Sequence, residues 1–303
     1  MKAIRLHGWG GPEQLFFDDA PAPEVRAGDV LVRVFASGIT PAELTWNETY
    51  QHADGTPRIP SVVGRVASET DDFRPGDEVY GLADFPRDGA AAEFVAVRAV
   101  NLVRKPQSIA HTQAASLPLS ALTAWQALFE HAGLVAGQSV LIHGGAGGVG
   151  SLAVQIAHSR DLRVVATASA RDVALVQSLG ADEVMDYHAE RFEEKARDID
   201  MVLDSVGGET RERSWRVLRK RGVLVSIVSP IPPGVAEQHG ARAVFFIVNG
   251  NRGQLDQIST LVDEGKLKPI IAEVYPLARA REAFEYAAAR HAPGKIILEV
   301  TGR

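Results

Sequence analysis

The stretch VLIHGGAGGVG at residues 140–150 decides the fold, because an apolar strand runs into glycines and continues at residues 151–158 with helical spacing. Within it, Gly145, Gly147 and Gly150 match G-x-G-x-x-G. Small residues there permit a tight turn, a close pyrophosphate and close packing of helix on strand. The free N–H groups at the helix start would face that pyrophosphate. Glycine-rich turns of this kind also occur without a ligand, so the motif alone leaves both interpretations open.

Composition limits the classes of function. The 303 residues suffice for about two domains, with a hydrophobic content of 46% and a charged content of 23% that are typical of globular chains. A net charge of −6 disfavours nucleic acid and anionic membranes as partners. Zero cysteines exclude disulfides, thiolate nucleophiles and sulfur-ligated zinc. No apolar run reaches membrane-spanning length and no signal segment opens the chain, so we expect a cytoplasmic protein.

The order of strand and helix signals predicts an α/β fold with two domains. The first hundred residues carry short strands separated by turn residues, which indicates a small β-rich domain. From about residue 113 the pattern becomes helical, and six strand signals then alternate with helices, as in a doubly wound parallel sheet. A helix is expected over residues 209–220. We predict a β-rich domain at residues 1–116 and 267–303 and a parallel-sheet domain at 117–266.

The end of the second predicted strand indicates the cofactor. An acidic residue about 20 positions past the glycines would bind the ribose 2′-hydroxyl of NAD, whereas an Arg nearby accommodates the 2′-phosphate of NADP. This chain has Ser169 and Arg171 there. The pattern predicts NADPH, with both side chains as phosphate ligands. The alternative makes Ser169 a helix cap and Arg171 a solvated surface charge.

Several further motifs occur in an order that resembles the medium-chain dehydrogenase/reductase superfamily, and most of all its zinc-independent quinone oxidoreductase branch, the relatives of zeta-crystallin. The resemblance implies a GroES-like catalytic domain formed by both termini, a central Rossmann domain, and NADPH in the cleft between them. The motifs are DEVYG at 77–81, AEFV at 92–95, AASLPL at 114–119, LTAW at 122–125, HGGAGGVG at 143–150, LGAD at 179–182, DSVGG at 204–208 and GKII at 294–297.

The resemblance also implies a set of cofactor contacts. Thr123 resembles a position beside the nicotinamide amide, and Tyr187 one near the adenosine phosphate. Lys295 resembles the late Gly-Lys pair near the cofactor. Gly148 and Val149 would belong to the pyrophosphate turn, Ser205, Val206, Ser226 and Ile227 to the adenine and ribose site, and Phe246 and Val248 to the segment whose backbone meets the nicotinamide. For the Phe and Val positions, an ordinary buried strand is the alternative.

Departures from the family pattern bear on whether a metal is bound and on the shape of the substrate cleft. Zinc-dependent members have Cys or His after the Gly-Ile turn, where this chain reads ASGITP at residues 36–41. The nine histidines offer no i, i+4 ligand pair, so we predict no metal. Where many relatives have Pro-Gly-His-Glu, this chain reads PSVVGR at residues 60–65, an apparent short deletion beside the substrate cleft.

A zinc-free reductase of this branch transfers hydride from NADPH to a quinone or to an α,β-unsaturated carbonyl. The protein then positions the reactants and stabilises the developing negative charge. Thr40 and Tyr50 are the catalytic candidates, with Tyr50 as a proton or hydrogen-bond donor; the alternative is that Tyr50 covers an apolar surface.

Two other functions remain open. One is an enoyl-thioester or polyketide tailoring reductase of the same fold, and the other is a non-catalytic NADPH-binding protein. If residues 244–248 form the edge of the sheet, their apolar run would pair with a second copy, which predicts a homodimer.

Overall fold

The computed structural model describes residues 1–51, 61–62, 73–74, 76–85, 87–289 and 292–300. The chain divides into two compact units, the first formed by Met1–Leu119, Asn249–Glu264 and Pro269–Arg303, the second by Ser120–Val248 and Gly265–Lys268. The segment 60–65, where a short deletion relative to the family is predicted, lies mostly outside the described residues.

The N-terminal part of the first unit is built from short antiparallel strands. β1 pairs with β2 and β5, β3 with β7, and β6 with β8. Alternating Val30, Val32 and Val34 point into one core with Val95 and Val97. The elements are β1 (Lys2–Leu6), β2 (Leu15–Asp19), β3 (Asp29–Arg33), β4 (Ala36–Gly38), α1 (Asn47–Tyr50), β5 (Ser61–Val62), β6 (Val79–Gly81), β7 (Phe94–Arg98), β8 (Leu102–Arg104) and α2 (His111–Ala115).

The second unit contains a six-stranded sheet in the order β11-β10-β9-β12-β13-β14, with every pair parallel. Its central strand β9 is buried at all four positions, as expected for a parallel sheet covered on both faces. The elements are α3 (Pro118–Trp125), which opens in the first unit, β9 (Ser139–Ile142), α4 (Gly150–His158), β10 (Arg163–Ala168), α5 (Val173–Ser178), β11 (Glu183–Asp186), α6 (Phe192–Lys195), β12 (Ile199–Asp204), α7 (Gly208–Ser214), β13 (Leu218–Ser226), α8 (Val235–Gln238) and β14 (Arg242–Phe245).

The C-terminal segments return to the first unit, where β16 pairs in parallel with β15 and antiparallel with β4. The predicted fold class, a β-rich domain plus a doubly wound parallel sheet, is confirmed. The domain boundaries stay predictions, and residues 249–264 group with the first unit, where the Tyr80 hydroxyl lies 3.1 Å from the carbonyl oxygen of Leu255. The remaining elements are α9 (Arg252–Asp263), β15 (Ile271–Pro276), α10 (Ala280–Ala289) and β16 (Lys295–Glu299).

The predicted helix over residues 209–220 is wrong in its second half. α7 ends at Ser214, and Leu218 already pairs in parallel with Ile199 of β12. Trp215 and Val217, which lie in the segment between α7 and β13, are both buried. Pairing with β12 therefore overrides the helical spacing of these residues, because a sheet partner distant in sequence outweighs weak local propensity.

The turn between β9 and α4 is closed by backbone contacts that only glycine permits. Gly144 has φ +65°, the left-handed region that glycine enters without strain. The N–H of Gly145 donates to the carbonyl of Thr167 on β10 over 2.8 Å, and the N–H of Gly147 donates to that of Gly144. A Cβ added at Gly150 would lie 2.1 Å from the Gly144 oxygen. The turn thus fixes α4 against the end of β9.

A buried hydrogen-bond chain holds the residue that precedes the turn. Ser214 Oγ donates to the carbonyl of Thr210, so it accepts from Nε2 of His143 over 2.8 Å. His143 Nδ1 then accepts from Thr167 Oγ1 over 3.2 Å, and that oxygen accepts the N–H of Gly144. Burial lowers the pKa of His143 from 6.5 to about 4. The chain requires a neutral imidazole with its proton on Nε2.

Gly150→Ala is expected to lower the free energy of unfolding by about 3 kcal/mol, because the new methyl group meets backbone that has no room to move. Gly253→Ala is the control. A Cβ there would approach no atom closer than 3.6 Å, so alanine should stabilise α9 by about 0.5 kcal/mol. Urea unfolding of the two variants measures both effects, and equal stability of Gly150→Ala and wild type would contradict this account of the turn.

The His143 pKa predicts a pH dependence of stability. The folded protein keeps His143 neutral, whereas the unfolded chain binds a proton below pH 6.5. The contribution of His143 to the free energy of unfolding is therefore complete above pH 6.5. It falls by roughly 3 kcal/mol as the pH drops to about 4. Glutamine does not titrate, so His143→Gln should lose this part of the pH dependence of the free energy of unfolding. Urea unfolding at a series of pH values measures that slope. The control His188→Gln changes an exposed residue and should keep the wild-type slope.

Candidate functional site

The residues predicted to bind the cofactor follow the strands of the second unit at their carboxyl ends. Because all six strands are parallel, these ends lie along one edge of the sheet, where ligands bind in doubly wound folds. The structure therefore brings together most of the predicted set. Residues 144–150 follow β9, Ser169 and Arg171 follow β10, Tyr187 follows β11, Ser205 and Val206 follow β12, Ser226 ends β13 and Ile227 follows it, and Phe246 follows β14.

The glycine turn presents backbone donors at this edge. In the described part of the chain, the N–H groups of Gly148, Val149 and Gly150 meet no acceptor, whereas those of Gly145 and Gly147 are bonded inside the turn. Three open donors at the start of the nine-residue helix α4 suit a diphosphate, since the helix dipole adds positive potential there. The turn fits the diphosphate of a dinucleotide through residues 148–150, while Gly145 and Gly147 serve its shape.

The segment after β10 contains a carboxylate that the sequence analysis did not single out. Ser169 Oγ donates to Oδ2 of Asp172 over 2.6 Å, and Nε of Arg171 lies 3.3 Å from the same oxygen. The Arg171 side chain is 64% exposed and that of Asp172 only 13%. Both predicted phosphate ligands thus share one acidic partner. The sequence signal was an Asp three positions after a Ser at a helix start, which is a common capping arrangement.

Ser205, which follows β12, and Ser226, the last residue of β13, both donate to acceptors within the protein. Ser226 Oγ donates to the fully buried carboxylate of Asp204 over 2.8 Å, and the same carboxylate accepts the N–H groups of Val206 and Gly207. Ser205 Oγ donates to the carbonyl of His143 over 2.7 Å. These hydroxyls therefore shape the loops, and a nucleotide would meet the exposed side chain of Val206 instead.

Five other predicted contacts differ in exposure. Tyr187 is 49% exposed and suits a ligand's surface, whereas Ile227 is half-buried. Thr123 on α3 and Val248 after β14 are both buried. The ring of Phe246 packs against the ring of His131, with centroids 4.2 Å apart. Their contacts with the cofactor stay predictions.

The first unit has a cleft of its own, which encloses about 380 Å³ including open solvent at its mouth. One wall carries Thr40, and Lys295 at the start of β16 lies beside it. The lining residues are Gly38, Thr40, Glu43, Trp46, Gly81, Leu82, Ala115, Ser116, Pro118, Leu119 and Lys295.

A lysine and a hydroxyl form the polar part of this cleft. Lys295 Nζ donates to the carbonyl of Ile39 over 2.6 Å and to Oγ1 of Thr40 over 3.1 Å. Because Thr40 Oγ1 accepts from the ammonium, its own proton is directed elsewhere, and no described residue accepts it. The arrangement offers a hydroxyl donor, polarised by a cation, to a molecule in the cleft. The sequence predicts Thr40 and Lys295 as separate candidates, with nothing in it that relates the two.

The position of Tyr50 does not support its predicted role as a donor. Its side chain is 1% exposed, its ring stacks on Trp9, and its hydroxyl lies 2.7 Å from the carbonyl oxygen of Leu44 and 3.0 Å from that of Gly10. Burial raises the pKa of Tyr50. A hydroxyl with one proton and two carbonyl neighbours has none to give to a substrate. The alternative that Tyr50 covers apolar surface agrees with this packing.

The described residues contain neither a cluster of metal ligands nor a membrane-spanning helix. No three His, Asp or Glu side chains among them are grouped closely enough to hold a metal ion. None of their helices has both the length and the apolar character that crossing a membrane requires.

Comparisons with known proteins agree with the fold. The zinc-binding dehydrogenase family matches residues 179–298. A probable mitochondrial zinc-binding oxidoreductase of Arthroderma benhamiae is 32% identical over 92% of this chain and 91% of its own length. The chloroplastic NADPH-dependent alkenal/one oxidoreductase of Arabidopsis thaliana is 32% identical over 98% of this chain and 79% of its own length.

Among solved structures, the quinone oxidoreductase of Coxiella burnetii superposes with a TM-score of 0.88 at 32% identity and covers 99% of both chains. Its similarity therefore extends through both units, and the sequence relatives match at comparable identity. The chain belongs to the medium-chain dehydrogenase/reductase superfamily, in the group that includes the quinone and alkenal/one oxidoreductases.

Proposed function

We propose that this protein is an NADPH-dependent oxidoreductase that transfers hydride to a quinone or to an α,β-unsaturated carbonyl without a metal ion. The observation that carries the proposal is the set of open N–H groups at residues 148–150, at the carboxyl edge of a doubly wound sheet. The alkenal/one and quinone oxidoreductases among the relatives support the reaction class.

The second unit would hold the cofactor. The N–H groups of Gly148, Val149 and Gly150 would bind the diphosphate, and Ser169 and Arg171 would face the 2′-phosphate. Tyr187 and Val206 present exposed surface against which the adenosine would pack. When bound, NADPH supplies the hydride from its nicotinamide ring.

The cleft of the first unit would hold the acceptor. Reduction at the β-carbon of an enone moves negative charge to the carbonyl oxygen, so donors aimed at that oxygen lower the barrier. Thr40 Oγ1–H is such a donor, and the Lys295 ammonium at 3.1 Å strengthens it by drawing electron density from the hydroxyl oxygen. Leu82 and Leu119 provide apolar walls for the rest of the acceptor.

We also propose a homodimer and a cytoplasmic location. β14 is one of the two edge strands of the six-stranded sheet, and Ile247 just beyond it is 56% exposed. An exposed edge with apolar side chains is stabilised by pairing with a second copy. One relative is named mitochondrial and another chloroplastic. The cellular compartment therefore does not follow from the reaction that these relatives share.

NADPH oxidation with quinones, enones and acyl thioesters tests the reaction. We expect turnover with quinones or small enones, because the cleft is small and partly apolar. A preference for acyl thioesters would instead identify a tailoring reductase. Tight NADPH binding with no oxidation by any acceptor would identify a non-catalytic binding protein.

Thr40→Val is expected to reduce kcat by about 10- to 100-fold, because the variant keeps the shape of the side chain but loses the donor to the carbonyl oxygen. Its Kd for NADPH should stay within about twofold of wild type, since Thr40 lies in the first unit. Steady-state kinetics and cofactor fluorescence measure the two quantities.

Thr45→Val is the matched control. Thr45 ends the short helical turn Pro41–Thr45, which Thr40 directly precedes. It is exposed, and its hydroxyl donates to the carbonyl of Ala42. An unchanged kcat in Thr40→Val, or an equal loss in Thr45→Val, would remove Thr40 from the proposed mechanism.

A further inference from the structure

The carboxylate of Asp172 lies between the two side chains that would recognise the 2′-phosphate. Ser169 Oγ donates to its Oδ2 over 2.6 Å, and Nε of Arg171 lies 3.3 Å from the same atom. One anionic oxygen of the protein thus already holds the hydroxyl and the cation. The inference drawn from this rests on the proposed binding of NADPH.

The chemistry of these groups makes the carboxylate a competitor of a 2′-phosphate. A serine hydroxyl has a single proton, and Ser169 gives it to Asp172. A phosphate offers only acceptors, so it gains the Ser169 hydroxyl only when Asp172 releases it. The phosphate also carries negative charge, which a carboxylate within a few ångströms repels. The 2′-hydroxyl of NADH has a proton of its own and no charge, so it meets neither penalty.

The surrounding structure keeps Asp172 in this place. Its N–H donates to the carbonyl of Ser169 over 2.8 Å, which closes the helical turn Ala170–Asp172. α5 follows directly, and its buried Val176 packs on the glycine turn, where a Cβ at Gly145 would lie 3.0 Å from Val176 Cγ1. The Asp172 side chain is 13% exposed, so water screens its charge only in part.

We infer that Asp172 is a specificity-determining residue that narrows the preference of this protein for NADPH over NADH. The carboxylate satisfies Ser169 and Arg171 when no 2′-phosphate is present, and it opposes the phosphate when one arrives. Removing its charge makes the site more selective for the phosphorylated cofactor.

Isothermal titration calorimetry with adenosine 2′,5′-bisphosphate and with AMP tests this without any turnover. Asp172→Asn should lower the Kd of the bisphosphate about tenfold, the size expected for removing one partly screened charge contact, and change that of AMP less than twofold. Asp172→Ser is a second variant with the same expectation. Adding Arg171→Ala to Asp172→Asn should abolish the gain, because the released cation is what binds the phosphate.

Asp161→Asn is the charge-matched control. Asp161 is exposed and precedes β10, whereas Asp172 follows it, so the variant removes one negative charge at the opposite end of the same strand. It should leave both Kd values unchanged.

Three outcomes would overturn the inference. An unchanged ratio of the two Kd values in both Asp172 variants would show that the carboxylate does not set the preference. A weaker affinity for the bisphosphate would show that Asp172 organises the site instead. Equal gains in Asp161→Asn would assign the effect to net charge. Failure of wild type and all variants to bind NADPH, AMP or the bisphosphate would instead contradict the proposed function, and with it the basis of this inference.

Discussion

The contact between Gly150 and the carbonyl of Gly144 is the constraint on which the second unit depends. A side chain at Gly150 would lie 2.1 Å from that oxygen, so α4 reaches its position only with glycine there. With α4 in place, the N–H groups of residues 148–150 meet no acceptor among the residues that the structure describes. Backbone packing and anion binding are therefore two results of one geometry.

Several polar side chains around this turn form hydrogen bonds that fix the neighbouring elements. His143 connects β9 to β10 through Thr167 and to α7 through Ser214. The buried carboxylate of Asp204 performs a similar task for the loop after β12, with Ser226 as its partner. Such networks are stable only when each donor and acceptor is satisfied, because an unpaired polar group in the core is strongly unfavourable. The N–H groups of residues 148–150, which meet no acceptor in the described part of the chain, belong to the backbone of the glycine turn.

In the cleft of the first unit, the polar groups come from side chains that are distant in sequence. Thr40 and Lys295 are 255 residues apart, and they meet because β16 pairs antiparallel with β4, which ends two residues before Thr40. The ammonium also binds the carbonyl of Ile39, so it holds the loop as well as the hydroxyl. A charged group that shapes a loop and polarises a donor is suited to a site where charge develops on a bound molecule.

Local patterns in the sequence determined the two-domain α/β fold, the glycine turn and the edge of the sheet where a dinucleotide would bind, because strand, turn and helix signals depend on neighbouring residues. Family motifs added Lys295 and Thr40 as separate candidates. Only the tertiary structure decided what these side chains contact. It joined Lys295 to Thr40, enclosed Tyr50 against Trp9, paired Leu218 with Ile199 where a helix was expected, and directed Ser169 and Arg171 to Asp172. Each of these outcomes depends on which partner an element or a side chain reaches in the folded chain, and local spacing carries little information about such partners.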